Sequence, residues 1–513
     1  MPTPEDMFHD EVVVLLAKLN VVSPKQFSKR CATMWKAVPP ILILTVGIAH
    51  YLKYQQGDPE VPTLPETFWG PKEKVSKDDT SIREFKIDIS QKVIDDLHER
   101  LDKYFNTVNL RPKTAPLEDA EWTYGVNFQY MQNVLRYWRD NYNWKKRQEL
   151  LNKYPQFKTT IQGLDIHFYR VKPTIPKNKK IRVLPLLMVH GWPGSVVEFQ
   201  KIIPMLTTPQ DGKDFVFEII APSLPGYGFS DPAVRPGLGA AQVAVVFKNL
   251  MARLGYDKFY TQGGDWGSII TASIATLYPE KVTGVHLNMC SISSPSTFFW
   301  TFVGSYIPSL VVEKEHESKM YPLSHHYSRL VEESGYFHIQ ATKPDTIGSV
   351  LSDTPAGLAV YILEKFSTWT NPEYRFRADG GLLEKYKMDE LLDNLMMYWV
   401  TNSITTSQRL YAESFSKAHL ALGVDRLPLH KPVACAIFPY EIVYQSKSLL
   451  EARYKNIIQF NHYPRGGHFA AMEEPQFVAD DVWSFVEKVE KMLKEEKLSK
   501  AKEEAKKNKK KDI

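Results

Sequence analysis

Asp265 stands in Gly263-Gly264-Asp265-Trp266-Gly267-Ser268, after the run Lys258-Phe-Tyr-Thr-Gln262 and before Ile269 to Leu277. An aromatic and β-branched run, a glycine turn and a small-residue helical pattern read as strand, sharp bend and helix. A carboxylate on that bend, at the start of a helix whose dipole favours negative charge, stays ionised and can attack carbon. Attack on an sp³ carbon would make an alkyl ester of the protein's own side chain, whereas a serine in this place would make an acyl ester from a carbonyl substrate. Gly263 and Gly267 leave room for strand and helix to approach each other. Taken alone the triplet reads sooner as a turn aspartate capping a helix, so the rest of the chain must decide.

Gly-x-nucleophile-x-Gly is the nucleophile elbow of α/β-hydrolases, and further pieces fall where such an enzyme needs them. His190-Gly191-Trp192-Pro193-Gly194 ends the first parallel strand, where the backbone N–H of Trp192 can pair with that of Trp266 to bind a developing oxyanion. His468, in Arg465-Gly-Gly-His-Phe-Ala-Ala-Met-Glu-Glu-Pro475, follows the last strand and can deprotonate water near neutral pH. It is set apart from the other histidines by the order nucleophile, acid, histidine. The acid should follow the strand before it. Glu441, in Phe438-Pro-Tyr-Glu441, is the first choice and Asp425 the alternative.

The elements that must carry these groups are short apolar runs at 184–190, 215–221, 259–262 and 282–288, with helix-length segments among them. Two more strands, 433–438 and 457–460, come after a gap of about 140 residues. That gap is helical and aromatic, with Phe298, Phe299, Trp300, Trp369, Tyr398 and Trp399, and suits a lid over an apolar pocket. Upstream, 157–161 and 166–171 flank Gly163 as a hairpin, and 82–154 carries aromatic helical patterns that read as a strap.

The expected architecture is therefore an α/β-hydrolase fold with an inserted helical cap, an N-terminal helical strap and an N-terminal membrane anchor. Its parts run 1–33 (extension), 34–54 (anchor), 55–80 (linker), 81–155 (strap), 156–290 (first core part), 291–430 (cap), 431–492 (second core part) and 493–513 (lysine-rich tail).

The formal charge of +5 is concentrated in the last twenty residues, where nine lysines face five acids. The body is near neutral and has no basic stripe, which argues against a nucleic-acid partner. Cys31, Cys290 and Cys435, odd in number and far apart, make neither a disulfide framework nor a metal-ligand pattern, and point to a reducing compartment. The acidic start does not read as a cleaved signal peptide. The uncharged run Ala37 to Leu52, flanked by Trp35, Tyr51, Tyr54, Lys36 and Lys53, reads as a single-pass anchor. Lysines and arginines before it place the body on the non-cytoplasmic side. The ending Lys510-Lys511-Asp512-Ile513, like a dilysine retrieval signal of endoplasmic-reticulum membrane proteins, places it in the cytosol. The tail is weighted more.

The motifs HGWPGS, PGYGFS (Pro225 to Ser230), GGDWGS, ESGYFHIQATKPDT, ILEKFSTWTN, FPYE and GGHFAAMEEP resemble those of microsomal epoxide hydrolase and the related insect juvenile hormone epoxide hydrolases, from about Ser81 to Val489. The resemblance puts the nucleophile on Asp265, the charge-relay acid on Glu441, the base on His468, and two cap proton donors on Tyr336 and Tyr411. It implies that these tyrosines polarise an apolar epoxide while Asp265 opens it to an ester. Water activated by His468 then releases a vicinal diol, with no metal or organic cofactor. The thirty residues before the anchor and the lysine-rich tail depart from the family pattern. A haloalkane dehalogenase, using Trp266 as a halide donor, and a silent membrane-anchored scaffold are the competing readings. The preferred epoxide, oligomeric state and source are not legible.

Overall fold

The inner strands form from apolar runs that find cover on both faces, and shorter or half-exposed strands extend the sheet at its edges. In order along the chain the strands are β1 (Arg83–Phe85), β2 (Gln156–Ile161), β3 (Leu164–Val171), β4 (Arg182–Val189), β5 (Phe215–Pro222), β6 (Phe259–Gly263), β7 (Val282–Leu287), β8 (Val433–Ile437) and β9 (Ile457–His462). Every residue of β5, β6 and β8 is buried, as expected of interior parallel strands. The computed structural model describes residues 59–71, 78–110, 117–178 and 180–509. The extension, the anchor at 34–54 and the final Lys510-Lys511-Asp512-Ile513 lie outside the described residues.

The strands form one sheet in the order β1-β2-β3-β5-β4-β6-β7-β8-β9. Pairing is antiparallel from β1 to β5 and parallel from β5 to β9. The β2–β3 hairpin turns on Gln162 and Gly163, both at positive φ, which suits a tight two-residue turn. β1 was not anticipated, because three residues are too few to show an alternation. Since β5 and β6 flank β4 on opposite sides, the chain leaves β4 and β6 next to each other at a topological switch point, where open sheets of this kind hold ligands.

Helices Gln91–Thr107, Phe128–Asp140 and Trp144–Leu151 precede the hairpin. Their buried residues recur at helical spacing, as in Met131, Val134, Leu135 and Trp138. They also reach the cap: Tyr142 donates to Asp393 (2.8 Å) and the Arg147 guanidinium pairs with the same carboxylate. The cap enters after β7 and leaves before β8, with helices that include Gly335–Thr342, Pro355–Thr368, Met388–Trp399 and Ile404–Ser414. Its aromatics divide. Trp369 and Tyr398 are buried, whereas Phe298 and Trp300 are 60% and 40% exposed.

Two further expectations need correction. Cys290 and Cys435 form a disulfide across 145 residues of chain. Cys290 follows the end of β7, and Cys435, in β8, lies opposite Leu287; adjacent parallel strands join what sequence spacing separates. The inference of a reducing compartment loses its footing with it. The lysine-rich tail does not begin at 493 as a separate piece. Helix Pro475–Lys509 runs through it, favoured by its Ala, Glu and Lys content and by i,i+4 pairs such as Glu496–Lys500. Among the described residues no single helix is long and apolar enough to cross a membrane.

Candidate active site

Four loops at the carboxyl ends of β4, β6, β8 and β9 converge. Asp265, two residues past the end of β6, has φ +49°, a left-handed conformation that a non-glycine residue adopts only under constraint. The constraint is packing. A Cβ on Gly267 would sit 1.8 Å from the Val189 carbonyl oxygen, and one on Gly191 would sit 2.1 Å from Asp265 Oδ1. Glycine at both positions therefore lets β4, the bend and the elbow helix Asp265–Leu277 close on each other.

The Trp192 backbone N–H donates to Asp265 Oδ1 at 2.8 Å. Trp266, in the first turn of the elbow helix, has an N–H with no acceptor inside the helix. His468 Nε2 lies 3.3 Å from Asp265 Oδ2, and its Nδ1 lies 2.7 Å from Glu441 Oε1. Burial would by itself depress the His468 imidazole. The charge of Glu441 and hydrogen bonds to Asp265 and Glu441 outweigh it, so the pKa stands well above 6.5. Asp425 lies elsewhere, half-exposed beside Arg426, and is not part of this cluster.

The cap supplies the opposite wall. Tyr336 stacks on the Trp192 indole with 5.3 Å between centroids, and Tyr411 meets the Trp192 and Trp266 rings edge-on at 5.9 and 4.8 Å. The two phenols are 6.0 Å apart by ring centroids. Burial first, and the nearby Asp265 charge as well, push both hydroxyls well above the ordinary phenol pKa. Both therefore remain proton donors at any physiological pH. Trp369 sets its ring edge-on to His468 at 5.0 Å.

Sequence reasoning missed two carboxyls. Glu473 accepts the Gly467 N–H (2.7 Å) and the Phe469 N–H (2.8 Å), gripping the backbone on both sides of His468, whose own N–H donates to the Trp369 carbonyl. Burial pushes Glu473 up to about 8 against the pull of those two donors. Glu198, on the turn Val196–Phe199, is likewise pushed up to about 8, mainly by desolvation. Glu473 stands five residues after His468, within Gly466-Gly-His-Phe-Ala-Ala-Met-Glu-Glu-Pro475. Its role is bonding to backbone, which leaves no signature of its own.

A parallel-rich sheet, a strained carboxylate elbow, a histidine–carboxylate pair and an inserted helical lid define an α/β-hydrolase with an aspartate on the elbow. The comparisons agree. The model described as "alpha/beta hydrolase fold" matches residues 185–305, and "Epoxide hydrolase N terminus" matches 82–199. Juvenile hormone epoxide hydrolase 1 of Ctenocephalides felis is 55% identical over 83% of this chain and 90% of its own length. Epoxide hydrolase 1 of Oryctolagus cuniculus is 44% identical over 88% and 98%. The crystal structure of juvenile hormone epoxide hydrolase from the silkworm Bombyx mori superposes with a TM-score of 0.81 at 50% identity, covering 83% of this chain and 99% of that one. The chain belongs to the microsomal-type epoxide hydrolases, the group that includes the insect juvenile hormone enzymes, and is an epoxide hydrolase.

Proposed function

We propose that the reaction runs in two half-reactions through an ester on Asp265. Tyr336 and Tyr411 donate hydrogen bonds to the epoxide oxygen, and one supplies the proton as Asp265 Oδ2 attacks ring carbon. Oδ1, already held by the Trp192 N–H, becomes the ester carbonyl oxygen. Esterification removes the Asp265 charge, and with it one of the interactions that hold a proton on His468. The imidazole then gives its proton up to the tyrosine left without one, and becomes a base at the step that needs one. Water loses a proton to His468 and attacks the ester carbonyl, the N–H groups of Trp192 and Trp266 bind the oxyanion, and the diol departs.

The observation that carries this reading is the shared carboxylate: one oxygen of Asp265 on a backbone N–H and the other 3.3 Å from a histidine backed by Glu441. Mixing the His468→Gln variant with styrene oxide is expected to give a stable adduct on the peptide containing Asp265. A variant that neither forms an adduct nor makes diol would refute the covalent route. Apolar terpenoid epoxides are the first natural class to try, since several relatives are named for juvenile hormone.

The run at 37–52 and the terminal lysines support residence in the endoplasmic-reticulum membrane with the catalytic body in the cytosol. An apolar substrate that partitions into lipid suits such an anchor. The Cys290–Cys435 bond pulls the other way. Thiol labelling of the protein in intact microsomes separates the two: labelling of both cysteines supports the cytosolic side, and protection of a formed disulfide refutes it.

A further inference from the structure

Asp265 has a second face. On its sheet side lies a chamber with about 20 Å³ of space for water centres, lined by Asp265, His468, Glu198, Gln262, Asn288 and Phe199 among others. A single water needs roughly 10–15 Å³ by that measure, so the chamber takes one. Tyr336 and Tyr411 are not among its walls. The epoxide's proton donors and this chamber therefore use different faces of the same carboxylate.

The chamber is built for a polar occupant. Gln262 is 1% exposed; its Nε2 donates to Asn288 Oδ1 at 2.9 Å, and its Oε1 is buried with no protein partner among the described residues. A buried acceptor left unpaired is costly, and a water that donates to it removes the cost. Glu198 is brought in by a close fold of the backbone. Its carboxyl curls over Gly194 so tightly that a Cβ there would fall 1.5 Å from Glu198 Oε1. Glycine at 194 is what lets the carboxyl reach the chamber.

We propose that this chamber seats the water that hydrolyses the Asp265 ester, and that Glu198 and Gln262 hold it there. The inference rests on the covalent reading above. Water gives one hydrogen to His468 Nε2 and the other to Gln262 Oε1, accepts a hydrogen bond from the protonated Glu198 carboxyl, and points its remaining lone pair at the Asp265 carbonyl carbon. As the new C–O bond forms, the proton passes to His468. As the tetrahedral centre collapses, the bond to the diol oxygen breaks, that oxygen takes the proton from His468, Asp265 keeps the oxygen of the water, and the water's second proton passes from the new carboxyl to His468, restoring the starting pair. Glu198 gives up no proton in the cycle. It must stay neutral to act as a donor, which agrees with the upward pull of burial on its carboxyl.

The test separates the half-reactions by rapid mixing of the full-length enzyme with styrene oxide. Glu198→Ala is expected to slow ester hydrolysis at least tenfold while slowing ester formation far less, so that adduct accumulates at Asp265. Glu198→Gln, which can still donate, should restore most of the hydrolysis rate and remove the loss of that rate expected of wild type above about pH 8. Gln262→Met gives an independent variant, expected to slow hydrolysis selectively. Equal slowing of both half-reactions, or hydrolysis at the wild-type rate in Glu198→Ala, would overturn the assignment. Absence of any adduct in His468→Gln would instead sink the covalent reading on which it stands.

Discussion

The two walls of the site are held by different physics. On the sheet side, Trp192, Asp265, Glu441 and His468 each follow a strand end closely and meet through hydrogen bonds and ion pairs of 2.7–3.3 Å. On the cap side, Tyr336, Tyr411 and Trp369 are held by ring packing, with centroids 4.9–6.0 Å apart. A sheet edge fixes charged groups to fractions of an ångström because its ladder is shared by every strand. Helices packed through rings tolerate more variation in shape. The division suits the chemistry proposed above, in which nucleophile and base need fixed geometry whereas proton donors can ride on a lid shaped to the substrate.

The largest expected effect probes the sheet wall. Asp265→Ala should lower kcat/KM by about 10⁴-fold or more, as removal of a nucleophile does elsewhere. In Asp265→Asn, His468 should titrate at lower pH than in wild type, because the Asp265 charge and hydrogen bond both raise it. Histidine NMR reads this directly. An unmoved titration would mean that Glu441 alone governs the imidazole.

Next in size is the staple at the cap's base. The Cys290–Cys435 bond closes the span that contains the whole insertion, so Cys290→Ala should cost about 2–4 kcal/mol of stability in urea unfolding. Proteolysis should then cut the cap before the sheet. Equal cutting of both would erase the mechanical distinction between the walls. Smaller again, Tyr336→Phe and Tyr411→Phe should each lower the rate of ester formation by about 10–100-fold, since the other hydroxyl remains, with the double variant losing more than either. A single tyrosine variant as damaged as Asp265→Ala would break the comparison outright.

The same division explains what could be read from the sequence. β5 to β8 were legible because buried parallel strands are continuous apolar runs, β4 and β9 by their apolar stretches, and the cluster of Asp265, Glu441 and His468 because the elbow fold sets such groups at strand ends. Nothing comparable marks a cap residue. With 26 tyrosines in the chain, Tyr336 and Tyr411 came only from resemblance to a known family. Glu198 and Gln262 escaped notice because each matters through what it encloses. The disulfide escaped because strand adjacency, which brings Cys290 to Cys435, is a property of sheet order rather than of spacing.

The smallest effect tests whether the walls act independently. Tyr398 donates to the Gly194 carbonyl (2.6 Å), Asn394 donates to that of Pro193 (2.7 Å), and Ser195 donates back to Asn394 Oδ1 (2.7 Å). These bonds are buried, and they pin the loop that carries Trp192 to the cap helix Met388–Trp399. Tyr398→Phe removes one hydroxyl and leaves the Gly194 carbonyl short of a donor, which should cost about 1 kcal/mol in urea unfolding. If the cap steadies the oxyanion-binding N–H through this bond, ester hydrolysis should also slow several-fold while Trp300→Ser, on the exposed part of the cap, leaves it unchanged. Lost stability with an unaltered hydrolysis rate would show instead that the sheet holds Trp192 without help from the lid.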